Sequence, residues 1–170
     1  MSGKTVNYAD ARIRFHSGDL LAWSHRGFSS FYDLQIQAVR FFTRSEYCHV
    51  GLTWQIAERV FVLEAVSAGV RIFPLSRLRP FFWLPIGVRW DDDLEAFALS
   101  KVGARYSKWQ AVLAGLGILK SGQDEIWQCA EYVQAVYREA GIAWVKGIQP
   151  TPSNLVATAQ GSGEALYLIT

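Results

Sequence analysis

Short runs of apolar and β-branched residues, bounded by polar or turn-forming residues, predict a set of β-strands. Two of these runs, Cys48–Gln55 and Arg59–Ala65, are separated by only a few residues, which favours an antiparallel hairpin. A turn at Ser17-Gly18 precedes a further short, buried strand. The predicted strands are Leu20–Trp23, Cys48–Gln55, Arg59–Ala65, Val70–Pro74, Trp83–Val88 and Ala165–Ile169.

Apolar residues at helical spacing predict the remaining elements. The run Asp91-Asp92-Asp93 supplies an N-cap and an acidic first turn, so a helix should begin there and end near Gly103. Another helix should end at Gly141, because glycine readily adopts the conformation that follows a helix. The predicted helices are Phe31–Thr43, Asp91–Gly103, Trp109–Leu119, Cys129–Ala140 and a short one after Pro152.

These elements indicate an α+β protein with an antiparallel sheet packed against helices, in a single domain that spans residues 1–170. Hydrophobic residues make up 51% of the chain and charged residues only 19%, so the chain can build a core and is not a disordered segment. The formal net charge of +2, without a run of Lys or Arg, gives no indication of nucleic-acid binding.

The polar segment 1–14 lacks the apolar stretch of a secretory signal peptide. No apolar run reaches the roughly 18 residues that a membrane span needs. We therefore expect a protein with no signal peptide and no membrane span, located in the cytoplasm or on a virion.

Cys129 is a candidate nucleophile because it lies where a polar loop becomes a helix. The dipole and the free N–H groups of a helix N-terminus favour a thiolate and can hold an oxyanion. The alternative is a buried cysteine that only packs. A catalytic cysteine also needs a base. His49 is the candidate, because it lies in a predicted strand, and a rigid strand can hold its imidazole in a fixed orientation.

Glu64 ends the next strand after the apolar run Val60–Leu63. If the two strands pair as a hairpin, its carboxylate can reach His49 and orient the imidazole, as in other nucleophile–base–orienter sets. The alternative is a carboxylate that faces solvent. The other histidines, His16 and His25, are expected on the surface, in a turn and a loop.

Cys48 precedes His49, and side chains alternate along a strand, so Cys48 is expected to pack away from the site. A Cys48–Cys129 disulfide is therefore not expected. The chain has no Cys-x-x-Cys or His-x-x-x-His spacing, so we expect no metal and no cofactor.

Five short segments, in order, resemble the NlpC-type cell-wall peptidases, which have a papain-like fold. They are Gly18-Asp19-Leu20, His49-Val50-Gly51-Leu52, Leu63-Glu64-Ala65, Gly103-Ala104-Arg105-Tyr106 and Gln128-Cys129-Ala130. The histidine part comes first and the cysteine part last, as in the circularly permuted, YiiX-like branch of that superfamily, which is more distantly related to lecithin:retinol acyltransferase. The segments Thr43–His49 and Thr151–Leu155 also resemble that branch, so the likeness covers about 17–155.

The resemblance implies a permuted papain-like fold and a cysteine hydrolase with Cys129 as nucleophile, His49 as base and Glu64 as third member. It implies supporting roles for Tyr106, near the sulfur, and for Gln128, beside the nucleophile. Usual members have Asp-Cys-Ser where this chain has Gln128-Cys129-Ala130, so the substrate does not carry over. The expected partner is a peptide, amide or acyl substrate, with a peptidoglycan stem peptide as first candidate.

Two other functions stay open at this point. The aromatic residues Phe81-Phe82-Trp83 and the apolar segment Trp109–Leu119 would suit a lipid-directed amidase or acyltransferase, although an ordinary core is the favoured interpretation of both segments. A structural protein with a vestigial site, for example a component of a phage tail or another larger assembly, is the other alternative.

Overall fold

The structure, a computed structural model, describes residues 4–24, 46–103 and 129–170. It contains one β-sheet with α-helices packed against it, so the predicted α+β fold class is confirmed. In chain order the elements are β1 (Lys4–Val6), α1 (Tyr8–Ala11), β2 (Leu20–Ser24), β3 (Tyr47–Ile56), β4 (Arg59–Val66), β5 (Gly69–Pro74), β6 (Phe81–Leu84), α2 (Asp92–Ser100), α3 (Cys129–Glu139), α4 (Pro152–Gly161) and β7 (Tyr167–Ile169). Short 3-10 turns cover Arg12–Arg14, Leu75–Arg77 and Ala143–Val145.

The described strands form one sheet of seven, in the order β1-β7-β6-β2-β3-β4-β5. The last four strands in this order form a meander in which β2, β3, β4 and β5 pair antiparallel with their neighbours in sequence. The β3–β4 pairing runs from Leu52 opposite Leu63 to Ile56 opposite Arg59. The short turn at Ala57-Glu58 closes this hairpin, and Ala57 adopts the left-handed conformation that such a tight turn requires.

The two faces of the sheet carry two separate apolar cores, because side chains alternate along each strand. Leu20 and Ala22 of β2 belong to one core, and Leu21 and Trp23 belong to the other. The first, which we call the helix-side core, is filled by α2, α3 and α4 through residues such as Leu94, Ala98, Val133, Val136, Leu155 and Val156. The second is covered by the N-terminal segment and holds Ala11, Phe15, Phe81, Trp83 and Ile169.

The predicted helix starts are explained by side-chain caps. The Asp91 carboxylate accepts a hydrogen bond from the N–H of Leu94 at 3.1 Å, so the aspartate run does begin α2. The Thr151 hydroxyl accepts from the N–H of Asn154 at 3.2 Å, and Pro152 occupies the first helical turn of α4. Gly141, with φ of 72°, follows α3 as expected.

Several sequence predictions differ from the structure. The N-terminal segment was expected to be only a polar lead, but Lys4–Val6 forms β1, which pairs in parallel with β7. The sheet is therefore mixed rather than wholly antiparallel, because β1 and β7 come from distant parts of the chain and no hairpin sets their direction. The strand expected over Trp83–Val88 is observed at Phe81–Leu84. The helices predicted over Phe31–Thr43 and Trp109–Leu119 lie outside the described residues.

Among the described residues, none of the helices combines the length and the apolar character that crossing a membrane would require.

Candidate active site

His49 and Glu64 form a hydrogen-bonded ion pair on the sheet. His49 lies near the start of β3, beyond the last β3–β4 backbone pair, and its Nε2 donates to Oε2 of Glu64 at 2.6 Å. The Glu64 side chain is only 2% exposed and that of His49 16%, so water competes little for this contact. The hairpin thus brings together the two residues that the sequence analysis paired, as expected from strands of adjacent sequence.

Cys129 is the first residue of α3, and its side chain is half-buried. The helix packs against β3 and β4, which carries the sulfur to the side chain of His49. The Cys129 side chain is a hydrogen-bonding and electrostatic partner of that imidazole. Because Glu64 occupies Nε2, Nδ1 is the ring nitrogen left to face the sulfur. The three predicted residues are therefore in contact in the order Cys129, His49, Glu64, although their catalytic roles stay predictions.

The partners of His49 favour the charged form of its imidazole. Burial by itself would lower the pKa of His49, but the hydrogen bonds and charges of Cys129 and Glu64 outweigh it and raise that pKa to about 10. Burial would likewise raise the pKa of Glu64, but the contacts with His49 and Arg71 lower it overall. At neutral pH the pair is therefore an imidazolium and a carboxylate.

Arg71 is a site residue that the sequence analysis missed. Its Nε and Nη2 donate to Oε1 of Glu64 at 2.9 and 2.7 Å, so the second carboxylate oxygen is also occupied. Arg71 and Glu64 are directly opposite each other on β5 and β4. A signal was available, because the two residues are equally distant from the turn at Ser67-Ala68 and opposite charges often pair across strands.

Trp23 and Cys48 support the start of β3. The indole of Trp23 lies beside the His49 ring, with 5.4 Å between ring centroids, and limits the rotation of the imidazole. Cys48 Sγ donates to the Trp23 carbonyl oxygen at 3.2 Å and packs against the second core. This agrees with the packing role predicted for Cys48, and neither Cys48 nor Cys129 is in a disulfide bond.

Asp19 shapes the turn before β2, as its position in the Gly-Asp-Leu segment implies. Its carboxylate accepts hydrogen bonds from the backbone N–H groups of His16 and Ile86 at 2.9 and 3.2 Å and from Trp83 Nε1 at 2.8 Å. Burial raises the pKa of Asp19. The side chain is thus fully used in holding β2 next to β6. His16 is exposed, as predicted.

The predicted supporting residues Tyr106 and Gln128, together with His25, lie outside the described residues. Their roles therefore stay predictions.

A Glu64→Gln substitution is expected to lower the pKa of His49, because it removes the carboxylate charge while the burial of the imidazole remains. Imidazole ¹⁵N shifts followed across pH measure this directly. In the wild type, the folded-state pKa of about 10 exceeds the ordinary 6.5. The contribution of His49 to the free energy of unfolding is therefore complete below pH 6.5 and is lost as the pH rises from 6.5 through about 10.

Urea unfolding across this range should show a smaller alkaline loss in Glu64→Gln than in the wild type. Glu58→Gln is the matched control, because Glu58 is an exposed carboxylate in the turn of the same hairpin. Equal alkaline losses in the two variants would contradict the assigned pairing.

Gly51→Ala is expected to destabilise the protein and to disturb the His49–Glu64 contact. An added Cβ would lie 2.7 Å from Val62 Cγ2, 3.0 Å from the Leu63 carbonyl oxygen and 3.3 Å from Glu64 Cβ. Overpacking of this kind costs about 1–3 kcal/mol of unfolding free energy. Urea denaturation would measure the loss. Gly161→Ala is the matched control, because nothing lies within 4 Å of its Cβ position, and no loss is expected there; equal losses would refute the steric explanation.

The fold and these residues define a class: an α+β protein in which a cysteine at a helix N-terminus faces a histidine–carboxylate pair on a sheet. The crystal structure of the metalloprotein YiiX from Escherichia coli O157:H7 is similar to it, with a TM-score of 0.53 and 22% sequence identity. The alignment covers 76% of this chain and 69% of YiiX. At this identity the similarity shows a shared, YiiX-like fold. No protein-family model matches the sequence, and no curated protein sequence matches it.

The word metalloprotein in the description of YiiX raises the question of a metal in this chain. Within residues 4–24, 46–103 and 129–170, no three His, Cys, Asp or Glu side chains are grouped as a metal site would need. Both oxygens of Glu64 are already used, one by His49 and one by the guanidinium of Arg71, which would repel a metal cation. The described residues therefore do not fit a resident metal ion.

Proposed function

We propose that this protein is a cysteine hydrolase of the amidase or peptidase type, with Cys129 as nucleophile, His49 as proton carrier and Glu64 as the residue that orients His49. The observation that carries the proposal is the continuous contact from the Cys129 side chain through His49 to a buried Glu64. The YiiX-like fold and the resemblance to permuted NlpC-type enzymes support the same class of reaction.

The Cys129 thiol gives its proton to His49, and the raised pKa of His49 keeps that proton on the imidazole at neutral pH, so that a thiolate is ready to attack. The thiolate attacks an amide carbonyl carbon and forms a tetrahedral oxyanion. In the proposal, N–H groups in the first turn of α3 stabilise that oxyanion, because the first N–H groups of an α-helix have no partner within the helix. The carbon–nitrogen bond then breaks, and His49 gives its proton to the leaving amine.

The second half of the reaction releases the acyl group. Neutral His49 takes a proton from water, and the resulting hydroxide attacks the thioester carbon. The carbon–sulfur bond breaks, which restores the thiolate of Cys129 and the imidazolium of His49 and yields a carboxylic acid. A peptide amide of a peptidoglycan stem is the first candidate substrate, on the strength of the family resemblance.

The test compares the two thiols of the same protein. Iodoacetamide labelling at neutral pH, followed by mass spectrometry, should modify Cys129 faster than Cys48, which is also half-buried but donates its hydrogen bond to the backbone carbonyl oxygen of Trp23. The protein is then incubated with muropeptides and with long-chain fatty acyl amides, and the thioester on Cys129 is trapped by acid. Cys48→Ala is the control variant, since its activity should equal that of the wild type.

Each outcome has a meaning. Cleavage of muropeptides with an adduct on Cys129 supports the proposal, and cleavage of fatty acyl amides alone would replace the substrate class with a lipid. Cys129 labelling no faster than that of Cys48, together with no cleavage of either substrate, would contradict the enzyme proposal and favour a structural protein.

A further inference from the structure

Glu64 is held by two cations, one on each carboxylate oxygen. Oε2 accepts from His49, and Oε1 accepts both the Nε and the Nη2 hydrogen bonds of Arg71. With only 2% of its side chain exposed, Glu64 has little access to water that could replace either partner. The orientation of the carboxylate plane, and with it the direction of its bond to His49, is therefore set from both sides.

The position of Arg71 is built into the sheet. Its strand, β5, is the last of the seven described strands in the sheet order, and its pairing with β4 places Arg71 directly opposite Glu64. The guanidinium carbon lies 4.6 Å from the centroid of the Phe73 ring, which holds the planar group by a cation–π contact. The Arg71 side chain is still 42% exposed, so small ions in solution can reach it.

The proposed reaction creates a need for this second cation. His49 is an imidazolium in the resting state but becomes neutral once it has protonated the leaving amine. At that moment Glu64 would be a buried carboxylate without a counter-charge, which is strongly unfavourable. A guanidinium does not lose its proton in proteins, so Arg71 keeps one positive charge beside Glu64 throughout the cycle.

We propose that Arg71 is a positioning residue, the fixed counter-charge and clamp that keeps Glu64 ionised and aimed at His49 while His49 gains and loses its proton. This inference rests on the proposed function of Cys129, His49 and Glu64. It adds a fourth member, on β5, which acts through its contact with Glu64.

The experiment compares Arg71→Ala, Arg71→Lys and a control, Arg89→Ala. Arg89 also faces a carboxylate, Asp91, with 3.6 Å between Nε and Oδ2, but its side chain is 93% exposed and lies outside the proposed site. For each variant we would measure kcat and KM on the cleaved substrate, the rate of Cys129 alkylation and the imidazole NMR signals of His49. Urea unfolding identifies any variant that is not folded.

Arg71→Ala is expected to lower kcat by ~10- to 100-fold with KM nearly unchanged, a size typical of residues that orient a reacting side chain from behind. The resonance of the His49 Nε2 proton should shift or broaden, since the carboxylate is no longer held. Arg71→Lys should regain part of kcat, because it keeps the charge without the two-point contact. Millimolar guanidinium should partly restore the activity of Arg71→Ala, should not restore that of Glu64→Gln, and should leave that of Arg89→Ala unchanged.

The outcomes separate this inference from the proposed function. If His49 and Glu64 variants lose activity while Arg71→Ala behaves like Arg89→Ala, the role of Arg71 is refuted and the hydrolase proposal stands. If Arg71→Lys is as impaired as Arg71→Ala and guanidinium restores neither, a fixed counter-charge is the wrong explanation. If Cys129 and His49 variants retain full activity, the proposed function fails and the inference fails with it.

Discussion

Cys129→Ala is expected to abolish hydrolysis of any substrate that the wild-type protein cleaves. Removing the nucleophile of such a set lowers kcat by ~10⁴-fold or more, because no other group can form the acyl intermediate. The variant should remain folded, because Cys129 is only half-buried and alanine fits the first turn of a helix. Steady-state hydrolysis and mass spectrometry of trapped acyl adducts provide the measurements.

Two further variants complete this prediction. Cys129→Ser should be almost as inactive as Cys129→Ala, because a serine hydroxyl holds its proton much more tightly than a thiol and does not ionise at neutral pH. Cys48→Ala should retain wild-type hydrolysis, since Cys48 packs against the second core and contacts the Trp23 carbonyl oxygen. Full activity in Cys129→Ala would mean that the catalytic set lies elsewhere in the chain.

His49→Ala is the second large effect that we expect. Without the imidazole, Cys129 loses both its cationic partner and the proton donor for the leaving amine, so hydrolysis should fall by ~10³-fold or more. Alkylation of Cys129 at neutral pH should slow toward the rate of Cys48. Labelling kinetics followed by mass spectrometry, together with hydrolysis rates, measure both losses.

The matched control is His16→Ala, because the His16 side chain is exposed and its hydrogen bond to Asp19 is made by the backbone N–H. A double variant, Cys129→Ala with His49→Ala, should be no less active than Cys129→Ala alone, since residues that act as a unit have non-additive effects. Fast labelling of Cys129 in His49→Ala would show that the helix N-terminus, rather than His49, activates the thiol.

Much of the fold can be predicted from local pattern. The strands around Cys48–Gln55 and Arg59–Ala65, and the helix after Asp91, all occur close to where they were expected. Their signals depend on neighbouring residues alone: alternation of apolar side chains, a short turn and an aspartate cap. The segment Lys4–Val6 shows no such signal, and it forms a strand because its backbone pairs in parallel with β7.

In the candidate site, too, one contact could be predicted from the sequence and another could not. The pairing of His49 with Glu64 is nearly local, because one hairpin connects them, and it was expected from sequence. Arg71 was missed because, in the sequence, a charged residue within a strand has the pattern of an ordinary solvent-facing residue. The contact with Arg71 matters because the Glu64 side chain is only 2% exposed, and a buried carboxylate needs a counter-charge.

By itself, the sequence determined the class of the fold, the main hairpin and the chemical types in the site, since these follow from short-range periodicity, turn length and side-chain chemistry. Tertiary structure alone decided that Cys129 meets His49, that Glu64 is buried between two cations, and that the sheet is mixed. Contacts between residues distant in sequence depend on how helices and strands pack, and burial sets the strength of the charges that they bring together.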